Sequence, residues 1–244
     1  MVDESEPTQG HLLAGRIRYV QPRHGFRSGI EPVFLAAAIP ARPGSRILEA
    51  GSGAGATLLC LAARVAGIHC VGIERDSALV ALACKNAAAN GWPHLHFHAA
   101  DIATLPIGDA FDHACANPPY HDAGGTPSPD ASRRTAKHAT EGTLIVWAAA
   151  LARRLRSRGT LTFVLAAAAL PAAIAALAAA GCTPTAMLPL WPKPGQPAKL
   201  LLLRGIKGGR ASFRVLPGLV LHTSDGRFTA EADAILRDGA SLAL

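Results

Sequence analysis

This chain has little of what metal or disulfide chemistry requires. Its 244 residues hold five cysteines: Cys60, Cys70, Cys84, Cys115 and Cys182. They are scattered, flanked by apolar residues and never spaced C-x-x-C. That excludes a zinc ribbon and a disulfide scaffold, and reads as reduced, buried thiols of a cytoplasmic protein. His94, His96 and His98 alternate and so share one face of a strand. A metal needs ligands converging from other segments; no other cluster points there, and no metal is expected. There is no internal repeat and no low-complexity linker beyond a bias to alanine. The first ten residues are acidic and polar, unlike a secretory leader. Leu161 to Cys182 carries no charge and is long enough to be tested as a membrane span. It is mostly alanine, however, and Pro171 divides it. A buried strand (Leu161–Leu165) and a helix (Pro171–Ala180) closed by Gly181 are expected, with no membrane partner.

What is present is a large apolar core and an excess of positive charge. Half the residues are hydrophobic, and the net charge is +7 with a pI near 9.6. An anionic partner is expected, nucleic acid first. The length fits one large domain with small appendages. We read 1–40 as a lead-in packed on the core, 41–210 as the main domain and 211–244 as an appendage to it. In the lead-in, Arg16 to Val20 alternates like a short strand. Pro32 opens a helix that runs to Ile39, and Arg27 and Ser28 lie just ahead of it, beside any site that it borders.

Arg46-Ile47-Leu48 opens the main sheet and runs into Glu49-Ala50-Gly51-Ser52-Gly53-Ala54-Gly55, after which an apolar helix spans Ala56 to Val65. Strand, glycine loop and helix in that order form a nucleotide-cofactor pattern. Glycines let the backbone approach a ligand, and the helix start offers free N–H groups. Glu49 suits a ligand with an ammonium and would repel a pyrophosphate. A second strand, Cys70 to Ile73, ends in Glu74 with Arg75 beside it, where an acid can accept from a ribose diol. Asp76 caps the next helix, which stops at Asn90-Gly91. The third strand, Leu95–Ala99, leads to Asp101 and Ile102, placed to bond an adenine amino group and to pack on its ring.

The fourth strand, Phe111 to Ala116, delivers Asn117-Pro118-Pro119-Tyr120. A residue before proline is held extended and proline fixes its own φ, so this loop is stiff. It presents the Asn117 side-chain carbonyl and the Pro118 main-chain carbonyl beside the Tyr120 ring. Two acceptors on the N–H bonds of a planar amino group orient it and favour pyramidal nitrogen, which frees the lone pair for attack. Tyr120 can stack on the planar group, worth about 1–3 kcal/mol for a base. The loop Asp122 to Pro129 then leads to Arg133, Arg134, Lys137 and His138, a basic cluster suited to phosphate.

A helix is expected over Glu141–Arg156, ended by Gly159, with Arg153, Arg154, Arg156 and Arg158 complementing its C-terminus. Leu161–Leu165, the alanine-rich helix, Met187–Leu190 and Lys199–Arg204 continue the alternation, the last two strands as an antiparallel edge hairpin. The tail reads as a strand (Gly218–His222), a turn at Asp225-Gly226 and a short helix (Glu231–Arg237). Together these units predict an α/β fold: a Rossmann-like, doubly wound, mostly parallel seven-stranded sheet with an antiparallel edge hairpin.

The order of Glu49-x-Gly-x-Gly-x-Gly55, Glu74, Asp101 and Asn117–Tyr120 resembles class I S-adenosylmethionine-dependent amino-group methyltransferases. Gln21-Pro22, Gly25-Phe26-Arg27, Arg134-x-Ala136-Lys137-His138 and the tail (Leu219–His222, Asp225-Gly226, Phe228-Thr229) are similar to the bacterial tRNA(Val) adenine-N6 methyltransferase family. The sequence departs from that family at Ser28–Pro32, where an Asp is expected, and at His121, where a bulkier apolar residue is. The resemblance implies S-adenosyl-L-methionine as cofactor, S-adenosyl-L-homocysteine as product and tRNA as partner. It places the cofactor against Arg27, Ser28, Glu49, Gly51, Ser52, Gly53, Gly55, Glu74, Arg75, Asp101, Ile102 and Asn117, and the target adenine against Asn117, Pro118, Pro119 and Tyr120. A monomer is expected. The same motif also serves on a protein glutamine amide, in the family that methylates release factors. Of readings from another class, a nucleotide-binding oxidoreductase is opposed by Glu49 and a non-catalytic RNA-binding protein by the intact Asn117–Tyr120.

Overall fold

The computed structural model describes residues 7–23, 28–105, 108, 110–118 and 131–244, with the backbone alone over 131–141. The apolar runs become one sheet. Its strands are β3 (Arg46–Ala50), β4 (His69–Glu74), β5 (His96–Ala99), β6 (Phe111–Ala116), β7 (Leu155–Ala166), β8 (Cys182–Trp191) and β9 (Leu200–Lys207), with two short strands, β10 (Arg214–Val215) and β11 (Leu219–Val220). A separate antiparallel hairpin is formed by β1 (Thr8–Leu12) and β2 (Ile17–Gln21). The order across the sheet is β10-β8-β9-β7-β6-β3-β4-β5, with β11 also on β8. All neighbours are parallel except β9, which is antiparallel to both β7 and β8. The seven expected strands are present, and the hairpin of β8 and β9 is not outermost: β10 and β11 line the far side of β8.

Consecutive residues of a strand face opposite ways, and both faces of this sheet are covered. One face carries Ile47, Cys115, Val164 and Leu202, packed by α1 (Glu31–Ala38), α2 (Ala56–Arg64), α3 (Ser77–Ala89), the hairpin and the C-terminal segment around α6 (Ala230–Asp233). The other carries Leu48, Ala114, Phe163 and Leu203, packed by α4 (Ala131–Arg154) and α5 (Leu170–Ala179). Pro171 sits in the first turn of α5, where a missing N–H is harmless. Among the described residues no helix is long and apolar enough to cross a membrane, and no His/Cys/Asp/Glu group is placed to hold a metal. His94, His96 and His98 share the exposed side of β5 and the turn before it, alternating with buried Leu95 and Phe97. Four of the cysteines are buried, whereas Cys84 is exposed on α3, contrary to expectation.

Two expectations in the middle of the chain need correcting. Helix α4 begins at Ala131, not Glu141, so Arg133, Arg134, Lys137 and His138 lie on a helix rather than in a loop; their side chains are outside the described residues. It also ends at Arg154, two residues early. Arg156 and Arg158 belong to β7, and Gly159 lies in a bulge between the pairs Phe111/Leu155 and His113/Thr160. A Cβ there would stand 3.0 Å from the Asp112 carbonyl, so a larger residue would crowd the closure of β7 on β6. Arg156 pairs with Asp112 at 2.5 Å, and Asp112 also accepts from the Arg46 N–H at 2.8 Å. Arg154 is buried and donates to the Ala150 and Leu105 carbonyls.

The end of α1 is held by residues far along the chain. Its Ala36 and Ile39 carbonyls accept from Arg64, at 3.0 and 2.5 Å. The Leu242 N–H donates to Ala37 at 2.9 Å. Arg204, buried in β9, donates to Ala38 and to Leu244. Two guanidiniums at a helix C-terminus suit its negative pole.

Candidate active site

The chain enters the sheet at an interior strand, β3, winds outward to β5, and returns to the other side of β3 through β6. Ligands of open α/β sheets bind at the carboxyl ends of the strands where the order reverses in this way. Ala50 is in register with Ala116, so Gly51 and Asn117 leave adjacent strands side by side, about 4.8 Å apart in sheet geometry. The glycine loop and the Asn-Pro motif are brought together by backbone register alone.

Gly51, Gly53 and Gly55 have φ of 66°, 54° and 90°, a region that side chains resist. The Gly51 and Ser52 N–H groups donate to the Ile73 carbonyl, which fastens the loop to β4. A Cβ on Gly51 would lie 2.5 Å from the Trp147 ring of α4, and one on Gly55 3.0 Å from Phe97. One on Gly53 would meet nothing within 4 Å. The loop is therefore packed from below and open at Gly53.

Glu49 is buried at the end of β3, 2% exposed. Its Oε2 has no hydrogen-bond partner among the described residues, and neither does the Ser52 hydroxyl. Burial pushes its carboxyl up to about 8, against a lowering bond from Thr57 and with a further rise from nearby Glu74. A buried carboxylate oxygen with no cation and no donor is costly, and an ammonium would satisfy it. Glu74 accepts at Oε2 from Gly53 (3.0 Å) and at Oε1 from Arg75 and Asp76 (2.7 and 3.0 Å), so it shapes the loop. A carboxylate offers about four acceptor sites, which leaves room for a hydroxyl. Asp101 caps its own turn through Ala103 and lies 3.7 Å from Arg75, with Ile102 buried beneath. Both groups of that ion pair are exposed, and such pairs are worth about 0–1 kcal/mol.

Ser28 meets the Tyr19 hydroxyl at 2.8 Å and donates its N–H to Gln21. Tyr19 is buried, and burial pushes its phenol up to about 12, with Glu49 contributing. The lead-in hairpin thus flanks the glycine loop. What locks it there is Asn86 of α3, which accepts from the Val20 N–H and donates to Val20 and to Ala54 of the glycine loop, at 2.8, 2.8 and 3.0 Å. One turn on, Asn90 accepts from and donates to Arg18 at 2.9 and 2.7 Å. Gly72 is a further unforeseen part: a Cβ there would lie 2.6 Å from Phe97 and 2.8 Å from Ser52. Asn86, Gly72 and Trp147 carried no sequence signal, since each acts across the fold. Asn117 is half-buried and Pro118 buried at the end of β6. Arg27, Pro119, Tyr120 and His121 lie outside the described residues.

Comparison with known proteins finds methyltransferases. A family model, the methyltransferase domain, matches residues 47–142. The tRNA1(Val) (adenine(37)-N6)-methyltransferase of Actinobacillus succinogenes is 32% identical over 147 residues, 59% of this chain and 62% of that one. Its counterpart in Dickeya chrysanthemi is 27% identical over 224 residues, 88% of each. A crystal structure described as a predicted O-methyltransferase from Agrobacterium tumefaciens superposes with a TM-score of 0.74 at 22% identity, covering 88% of this chain and 99% of that one. This likeness bears on the fold.

Proposed function

We propose, for a chain that carries a methyltransferase domain, that it methylates the exocyclic N6 of an adenine in tRNA, namely the adenine beside the anticodon of tRNA(Val). The observation that carries this reading is the register of Ala50 with Ala116, which sets Asn117 beside the glycine loop. The named relatives support the substrate. We infer that the protein works as a monomer in the cytoplasm, on tRNA.

S-adenosylmethionine, when bound, supplies a sulfonium-activated methyl group. Glu49 would take its ammonium, the Gly51–Gly55 loop would line it, Glu74 would accept from its ribose, and Asp101 and Ile102 would meet its adenine. Arg27, Ser28 and Arg75 border the same pocket in this reading. Asn117 Oδ1 and the Pro118 carbonyl accept the two N–H bonds of the target amine, which fixes its plane and turns its lone pair toward the methyl group. Tyr120 stacks on the base. An adenine is extruded more readily from a single-stranded loop than from a duplex, so a tRNA loop suits the site. Most of the rate then comes from positioning. The helix-borne Arg133, Arg134, Lys137 and His138 are proposed to meet tRNA phosphates.

The test is transfer of labelled methyl from S-adenosylmethionine to undermodified tRNA, followed by digestion to nucleosides. Label in N6-methyladenosine is expected; label in protein glutamine instead would overturn the RNA reading. Asn117→Ala should lower transfer by about 10²-fold or more, the scale of a misplaced reacting group, while S-adenosylhomocysteine still binds. Equal loss of both would remove Asn117 from the assigned role.

A further inference from the structure

The turn after β8 forms a cavity that the methyl-transfer site does not use. It measures about 480 Å³ and is lined by Trp191, Lys193, Pro194, Gly195, Gln196, Pro197 and Val220. Trp191 donates its indole N–H to the Pro217 carbonyl at 3.1 Å, and Gly218, with φ of 88°, lies so close that any Cβ would strike the indole. The polar end of the ring is thereby satisfied and its edge clamped, which leaves the ring to serve as a wall. Lys193 reaches across to the Ser224 carbonyl at 3.3 Å. The adjoining lip holds His222 stacked on Phe228, with ring centres 4.6 Å apart, and Phe228 is 39% exposed.

Strand directions put this cavity on the catalytic side. β8 runs parallel to β6, because β9 between β7 and β8 opposes both. Ala116 pairs with Phe163, Phe163 with Leu203, and Leu203 with Met187, so Asn117 is level with Leu188. Trp191 is three residues farther up and three strands across, which is about 10 Å by about 14 Å, or about 17 Å in all. A few nucleotides of single strand cover that span.

The charge is of one sign. The turn between β8 and β9, residues 192–199, holds Lys193 and Lys199 and no Asp or Glu. Asp225, on the adjoining one, is already bound to Arg227 at 2.7 Å. A flat apolar wall, prolines opposite and cations at the rim form the combination that holds a stacked base and its phosphates.

Building on the tRNA reading, we propose that this cavity binds an unpaired base of the RNA substrate near the target adenine, stacked on Trp191, with Lys193 and Lys199 facing its backbone. The test measures binding of an unmodified tRNA anticodon stem-loop by anisotropy, with S-adenosylhomocysteine binding measured in parallel. Trp191→Ala should raise the RNA Kd by about 5-fold or more, the stacking contribution of one base, and Trp191→Phe should restore most of it. S-adenosylhomocysteine affinity should not move. Gln196→Glu, an exposed change on the turn that places a carboxylate at the rim, should weaken RNA binding in the same way even if Trp191→Ala fails to fold. Wild-type RNA affinity in both Trp191→Ala and Gln196→Glu would overturn the cavity's role and leave the tRNA reading standing. A wild-type protein that binds S-adenosylhomocysteine but neither binds nor methylates tRNA would overturn both.

Discussion

Glu49 is the residue whose chemistry depends most on what is bound beside it. In the folded chain burial holds its carboxyl at about 8, above the ordinary 4.5. A raised acid keeps its proton in the native state where the unfolded chain has lost it. Its contribution to stability is therefore full below about pH 4.5 and is lost as pH rises through about 8. An ammonium at Oε2 reverses the preference, so ligand binding should expel a proton. The expected outcome is that stabilisation by S-adenosylhomocysteine grows between pH 5 and pH 8, read as the difference in Tm with and without ligand. Glu49→Gln should flatten that pH dependence and weaken binding. A flat profile in the wild type would separate Glu49 from the ammonium. The acid, the glycines and Asn117 were all legible in the sequence because each sits at a strand end, where periodicity breaks into turn residues.

At the scale of elements, Asn86 and Asn90 do for β2 what a neighbouring strand would do. Each matches the N–H and C=O of one residue, Val20 and Arg18, on the edge that β1 leaves open. Asn86→Ala would leave three main-chain groups without that partner, at about 1–3 kcal/mol each where burial is complete. A urea titration should show a loss of about 3 kcal/mol, with faster amide exchange in β2. Gly72→Ala crowds Phe97 and Ser52 and should cost about 1–3 kcal/mol as overpacking, with weaker S-adenosylhomocysteine binding because Ser52 belongs to the glycine loop. Neither residue could have been singled out in advance: Asn86 meets Val20 66 positions away, and nothing local distinguishes it from a surface asparagine. The start of α4 was misread for a local reason. Gly124, Gly125, Pro127 and Pro129 announce a loop, and four basic residues directly after them look like its continuation, although Ala131 already begins the helix.

For the whole molecule, charge and topology act together. The net charge of +7 surrounds the protein with a positive field that reaches about 8–10 Å at physiological salt. Binding of tRNA should therefore weaken by about 10-fold or more between 50 and 200 mM salt if two or more phosphates are neutralised, while S-adenosylhomocysteine binding stays level. A salt-independent RNA Kd would contradict a phosphate-led interface. The doubly wound sheet was readable from alternation and turn residues. The insertion of β9 between β7 and β8 was not, because a hairpin of that length reads the same at an edge or inside.

The carbonyls at the end of α1 wait for Arg204 and Leu242, more than 160 positions later in the chain. On a ribosome, residues 46 to 116 could pair as soon as they emerge. The segment before residue 40 would still lack its last partners until residues 204 and 242 had been made. Closure of such long loops is slow, so a nascent chain stalled near residue 200 should hold a protease-resistant cofactor half and an N-terminal helix still open to cleavage.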